Sequence, residues 1–273
     1  MCSPGALVGA DNTAYAIYFG DTDGGLWRYV PKPKDVSSLG SSHLDKIFQS
    51  MYSTTIFDTP ALLLDSNGAV WISTGEMGSE AGASVVDDSV LYTVKDDAGY
   101  DQHPAPIYTS ADLVDMNAFE AANGVNTVVG RDDVMGPDDK GYFYQLPVRE
   151  TLFTSPIITG YTLNELAYTT TLYLTYRYPQ QGNYCSLGDS NLYIFGLASM
   201  FIADEEGDNN GANLVGEGKP GSPFESEAGD IWLNTPSGPV RVVNAQGEGL
   251  GTGSASQDVD AQTLGKSGGW YTK

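Results

Sequence analysis

The sequence predicts an all-β protein of the β-propeller kind, and three short stretches carry the prediction. Tyr18-Phe-Gly-Asp-Thr-Asp-Gly-Gly-Leu-Trp-Arg-Tyr29 reads as a strand, a Gly/Asp turn and a second strand that starts on a tryptophan. Asp23-Gly24-Gly25 supplies the positive-φ positions of a tight hairpin, and Leu26, Trp27 and Tyr29 are strand formers. The cadence returns at Leu63-Leu-Asp-Ser-Asn-Gly-Ala-Val-Trp-Ile72, and in degraded form at Glu227-Ala-Gly-Asp-Ile-Trp-Leu233. Short hairpins with glycine and an aromatic at a recurring place mark a repeated all-β unit, most often a propeller blade.

Strand-like runs rich in Val, Ile, Tyr, Thr or Trp punctuate the chain. In order they are Ala14–Phe19, Leu26–Val30, Ala61–Leu64, Val70–Ser73, Val90–Val94, Gly141–Leu146, Ile157–Thr159, Leu166–Tyr176, Asn191–Phe195, Ile231–Asn234 and Val240–Asn244. Two segments have a helical cast: Ser41–Ser50, with apolar residues at Leu44, Ile47 and Phe48, and the Asp/Ala-rich Ala111–Ala122. Both are short and read as decorations between blades. The stretches 76–88, 97–140 and 204–229 read as loop insertions, and 246–269 as a further Gly/Ser/Gln-rich loop. With roughly 40–45 residues per blade, the chain holds about four or five blades once these loops are subtracted. A ring left open would expose edge strands, so the set of blades reads as incomplete, its remainder lying upstream or in another chain.

The 273 residues carry 13 Lys+Arg against 35 Asp+Glu, a formal net charge of −22. That balance excludes a nucleic-acid groove, because phosphate contacts need a basic surface. It leaves a self-repelling solvated surface, or carboxylates that hold divalent cations. No apolar run is long enough to span a membrane as a helix. Met1-Cys-Ser-Pro-Gly-Ala lacks the basic and apolar regions of a signal peptide, which leaves a fragment, a mature product or a cytosolic chain. Cys2 and Cys185 are the two cysteines, and either pair once or remain unrelated thiols.

In order, the segments resemble the C-terminal propeller of the PilY/PilC family of type IV pilus biogenesis factors and tip adhesins. Tyr18–Tyr29 resembles the family's Y-x-G-D-x-x-G-N-L-W-R-F, with Gly25 in place of Asn. Val70–Glu76 resembles V-Y-F-G-T-G-R, and Ser89–Asp96 resembles S-L-Y-G-I-x-D. Gly141–Pro147 and Arg149–Ile158 resemble the G-W-Y-x-D-L-P and G-E-R-V-x-x-x-P-V-V block. Thr175–Cys185 with Asn191–Phe195 resembles the strand, proline and C-x-x-G-G-x-S-x-L-Y element, and Gly265–Trp270 the closing G-R-x-S-W-R. The resemblance runs from about residue 7 to the C-terminus. It implies a non-enzymatic, extracellular protein at the bacterial surface or pilus tip, acting in pilus biogenesis and adhesion. Its partners would be minor pilins or the pilus tip, a host or abiotic surface, and a chain carrying the missing blades.

The family often places a D-x-D/N-x-D-G calcium loop before the Y-x-G-D strand; here Gly9–Tyr15 has one carboxylate. The better run is Asp204-Glu-Glu-Gly-Asp-Asn-Asn-Gly211, with Asp204, Glu206, Asp208 and Asn210 at alternate positions. It has no glycine at position 6 and no Glu at 12, so it is no EF-hand. It reads either as a calcium loop or as a solvated acidic turn. Asp21, Asp23 and Asp138-Asp139 read as turn residues, the first two with a weaker second reading as ligands.

His43 and His103 are the only histidines, and neither lies in a catalytic motif; both read as surface side chains. Trp27, Trp71, Trp232 and Trp270 read as core or inter-blade packing more readily than as a sugar platform. Trp27 and Trp71 are expected to be buried, at equivalent places in different blades and facing the same side. Two rival classes remain. One is a quinoprotein-type propeller enzyme, disfavoured by the scarcity of basic residues. The other is a structural repeat that polymerises through open edges.

Overall fold

The computed structural model describes residues 3–9, 14–31, 42–56, 58–76, 89–97, 103–136, 138–179, 187–197, 199–204, 211–218, 221, 224–226, 230–235 and 238–243. They form an all-β structure of several sheets, most strands pairing antiparallel with a close sequence neighbour. The first sheet begins as a meander of β1 (Gly5–Val8), β2 (Ala14–Gly20), β3 (Gly25–Val30) and β4 (His43–Gln49). The second begins with β5 (Ala61–Leu64), β6 (Val70–Glu76) and β7 (Val90–Asp96). The chain then returns to pair β8 (Tyr108–Thr109) parallel with β4. A 3-10 turn, β9 (Val114–Asp115), α1 (Met116–Asn123), β10 (Val129–Gly130) and the short α2 (Arg131–Val134) follow. β11 (Gly141–Gln145) completes the second sheet between β7 and β9. The insertion expected over 97–140 therefore carries ordered elements of its own.

The third sheet is built on two long central strands. β12 (Glu150–Leu152) and β13 (Ile157–Leu163) share one edge of β14 (Leu166–Arg177), which pairs over eight residues with β15 (Asp189–Gly196). The β13–β14 turn has Asn164 and Glu165 at φ 51° and 67°, the positive-φ pair of a two-residue hairpin. β16 (Ser199–Met200) pairs with β10, while β17 (Ile202–Ala203) and β18 (Asn213–Glu217) share the far edge of β15. A fourth sheet, β19 (Phe224–Glu225), β20 (Ile231–Thr235) and β21 (Gly238–Val243), closes the described chain.

Strand alternation explains how the sheets stack. In β6, Val70 and Ile72 join Tyr18, Leu26 and Phe48 of the first sheet in one apolar cluster. The next residue in register, Trp71, joins Leu152, Tyr173, Tyr193 and Phe195 of the third sheet. In β14 and β15, Tyr173 and Phe195 face the second sheet, and Leu172, Leu174 and Ile194 pack with Ile231 and Leu233 of the fourth. Each middle sheet is thus covered on both faces, and β6 is buried along its whole length. The second and third sheets are also joined by hydroxyls: Ser73 Oγ lies 3.1 Å from Thr171 Oγ1, and Thr93 Oγ1 lies 2.7 Å from the Tyr173 hydroxyl.

The recurrent hairpin is a real structural unit. The Asp21 carboxylate accepts hydrogen bonds from the amides of Asp23 (2.8 Å) and Gly25 (2.7 Å) and from Trp27 Nε1 (2.6 Å). Asp65 accepts from Asn67 (2.8 Å), Ala69 (2.9 Å) and Trp71 Nε1 (3.3 Å) at the same offsets. At the third copy Ser226 takes the place of the aspartate, its Oγ accepting from the Asp230 amide at 3.1 Å, six residues before Trp232. A cation also recurs: Lys46 lies 5.2 Å from the Trp27 ring and Lys95 5.9 Å from Trp71, each on the strand paired to its tryptophan.

Three expectations are corrected. Trp27 and Trp71 do not occupy equivalent sheet positions. The first hairpin joins the second and third strands of its sheet, the other the first and second. Both rings point away from the interface their sheets share. Trp71 is therefore buried against the third sheet, and Trp27 is half-buried on the opposite face of the first. Ser41–Ser50 is no helix: its described part contains β4. A bulge in β4 opposite Leu26 and Trp27 places Ile47 and Phe48 both inward, and so produces the helix-like spacing. The stretch 204–229 is no continuous loop, since β18 and β19 lie in it.

Candidate functional site

The first and second sheets meet around a buried polar network that the hydrophobic pattern does not announce. Arg28 on β3 is fully buried, and its Nη1 donates to both carboxylate oxygens of Asp96 on β7, at 3.1 and 3.0 Å. Its Nη2 donates to Asp45 Oδ2 on β4 at 3.4 Å, and the Tyr18 hydroxyl donates to Asp96 at 2.9 Å. A buried cation shared between two carboxylates is tolerated because its charge is matched and hydrogen-bonded; removing one partner would leave charge stranded.

Two histidines converge on the same aspartate. His43 and Asp45 are two apart on β4, so strand alternation sets both on one face. His103 arrives from the segment before β8. Its Nδ1 lies 2.6 Å from Asp45 Oδ1, while His43 Nε2 lies 3.6 Å from Asp45 Oδ2. The imidazole centroids are 4.7 Å apart. One ligand atom from each of the three residues lies within 4.8 Å of the others. Burial pushes the Asp45 carboxyl up, but His103, the Ala105 amide and Arg28 outweigh burial and hold it below the usual carboxylate value. The surface reading therefore holds for His103, whose side chain is 53 % exposed, and is corrected for His43, 13 % exposed because it sits beside Asp45 under His103.

A second buried carboxylate closes the other end of the same interface. Glu76, on β6, accepts from Ser50 Oγ (2.8 Å), the Thr54 amide (2.6 Å) and the Tyr92 hydroxyl (2.9 Å). It holds the 50–54 connection onto the second sheet. Burial, and then the Glu76 charge, push the Tyr92 hydroxyl well above its ordinary value.

Of the residues expected to bind calcium, Asp204 is described; Glu206, Asp208 and Asn210 lie outside the described residues. Asp204 is buried just after β17. Its amide donates to Asn126 Oδ1 (2.9 Å), and its carbonyl accepts from Asn126 Nδ2 (2.7 Å). Burial raises the Glu120 carboxyl, a hydrogen bond from Tyr144 opposes this, and the charge of Asp204 raises it further. Gly211, the last residue of the acidic run that Asp204 begins, also borders Glu120: a Cβ there would stand 3.3 Å from Glu120 Oε1. Asp21 spends its oxygens on its own turn, and Asp139 caps Gly136, as turn residues do. Cys2 and Cys185, the candidate disulfide pair, lie outside the described residues, as do Trp270 and the stretch 246–269. Among the described residues no helix is long and apolar enough to cross a membrane.

The sequence did hold one signal for the histidine cluster, His43-x-Asp45, which has meaning only on a strand. The bulge that gives β4 its helical look hid it, and His103 lies 58 residues further along the chain. Compared with known proteins, the chain matches no protein-family model and no curated protein.

Proposed function

We propose that this chain is a non-enzymatic, extracellular propeller domain, or a set of blades from one, of the kind its sequence resembles in type IV pilus tip adhesins and assembly factors. The supporting observation is the succession of antiparallel sheets packed face on face in chain order. One edge strand from each of three successive sheets touches the next, β1 against β5 and β5 against β13, as inner strands do around a propeller hub. On this reading the rigid sheets display loops, and the loops contact minor pilins, the pilus tip, or a host or abiotic surface. Calcium on the 204–210 loop belongs to the same reading. Asp204 begins that loop, and Glu120, near both of its ends, would add a further carboxylate.

The test is binding of the purified full chain to isolated type IV pili and to recombinant minor pilins, with and without calcium. Saturable binding at pilus ends supports the reading. Even decoration along the fibre, or no binding to either probe, rejects it.

A further inference from the structure

We infer that His43, Asp45 and His103 form a binding site for a transition-metal dication of the zinc class, distinct from the calcium reading of the 204–210 loop. The donor set decides the class. Calcium takes six to eight oxygens, whereas two imidazoles and one carboxylate suit zinc and its first-row neighbours. The geometry is close to what such an ion needs. Ligands about 2.0–2.1 Å from a tetrahedral centre stand roughly 3.3 Å from one another. His43 Nε2 and Asp45 Oδ2 are 3.6 Å apart, and His103 Nδ1 and Asp45 Oδ1 are 2.6 Å apart. A small outward swing of the His103 ring, 53 % exposed at its side chain, opens the second span. The same exposure gives the ion its entry path and lets water complete its shell.

The surroundings favour a cation despite Arg28. That guanidinium is shared between Asp96 and Asp45, so the buried group of one arginine and two aspartates keeps a net negative charge. A bound dication meets that charge within a chain of formal net charge −22. Arg28 also orients the carboxylate from outside the ligand shell, bonding Asp45 Oδ2 while Oδ1 faces His103. The ion clips the start of the segment leading to β8 onto β4, and so ties the crossing connection from the second sheet to the first. Binding to the folded chain alone stabilises it by mass action.

The test uses the full chain after chelator treatment, titrated with cobalt as an optical probe and then with zinc. The expected result is a saturable cobalt spectrum without thiolate charge-transfer bands. Zinc abolishes it at one ion per chain, and a large excess of calcium leaves it unchanged. His103→Ala, a change at an exposed side chain, weakens the metal by more than about tenfold and removes the zinc-dependent rise in Tm, while its circular dichroism stays that of the wild type. His43→Gln acts in the same direction. Equal uptake by wild type and His103→Ala overturns the site, as do thiolate bands or the absence of any saturable spectrum.

Discussion

Trp71→Ala and Trp27→Ala, compared in the same chain, test the stacking of the sheets. The two indoles sit in nearly identical hairpins, each bonded through Nε1 to an aspartate six residues earlier and each beside a lysine. Local structure alone therefore predicts equal losses. The stack predicts unequal ones. Trp71 is 2 % exposed and packs among residues of the third sheet, so its truncation leaves a cavity between two sheets and costs about 3–5 kcal/mol. Trp27 is half-buried on the outer face of the first sheet, where water fills much of the space it vacates. Its loss combines part of the burial term with the shorter indole hydrogen bond, about 1–2 kcal/mol in all. Urea unfolding followed by far-ultraviolet circular dichroism gives both values, provided the slopes match the wild type. Losses within about 1 kcal/mol of each other would refute the opposed placement of the rings.

Other consequences are sharp enough to check. Burial pushes the Asp21 carboxyl up, but the Trp27 indole, the Gly25 and Asp23 amides and Lys46 outweigh it and hold the carboxyl below its usual value. Its contribution is therefore present at neutral pH and lost on acidification, so the stability gap between wild type and Asp21→Asn should shrink from about pH 7 to about pH 3 in urea melts. Glu76→Ala strands Ser50, Thr54 and Tyr92 at once and should cost about 3–5 kcal/mol; a loss below about 1 kcal/mol would show that the 50–54 connection is not held there. Gly141 has φ +127°, and a Cβ on it would collide with the Thr93 carbonyl oxygen, whereas nothing lies within 4 Å of a Cβ on Gly160. Gly141→Ala should lower stability by more than about 1 kcal/mol while Gly160→Ala stays near neutral, read as the shift in urea midpoint.

The all-β class was legible because the strands that make the stack carry apolar or β-branched residues on both faces. Val70–Ser73, Val90–Val94, Leu166–Tyr176 and Asn191–Phe195 read as strands for that reason, and each lies wholly within one. The turn of Asp65 was legible too, since its spacing to Trp71 repeats that of Asp21 to Trp27. Which side each indole faces was not, because that depends on the place of the hairpin within its sheet, and a single hairpin contains no such information. β4 was misread because its bulge breaks the two-residue period. With the strand went the one local sign of the candidate site, His43 and Asp45 on a common face. His103 reaches them only through the fold. The polar interface made by Arg28, Asp96 and Glu76 was equally hidden, since charged residues on strands read as solvent-facing until a second sheet covers them.

The packing of the second sheet on the third is tested most directly by an engineered disulfide between Ser73→Cys and Thr171→Cys, with Cys2 and Cys185 replaced by serine. The two hydroxyl oxygens are 3.1 Å apart across the interface and belong to residues 98 positions apart in the chain. Mild oxidation of the purified double variant should give one intramolecular disulfide, found by peptide mapping, with a circular dichroism spectrum like that of the parent. Two free thiols after oxidation of the folded protein, or disulfides formed only between chains, would contradict the stack.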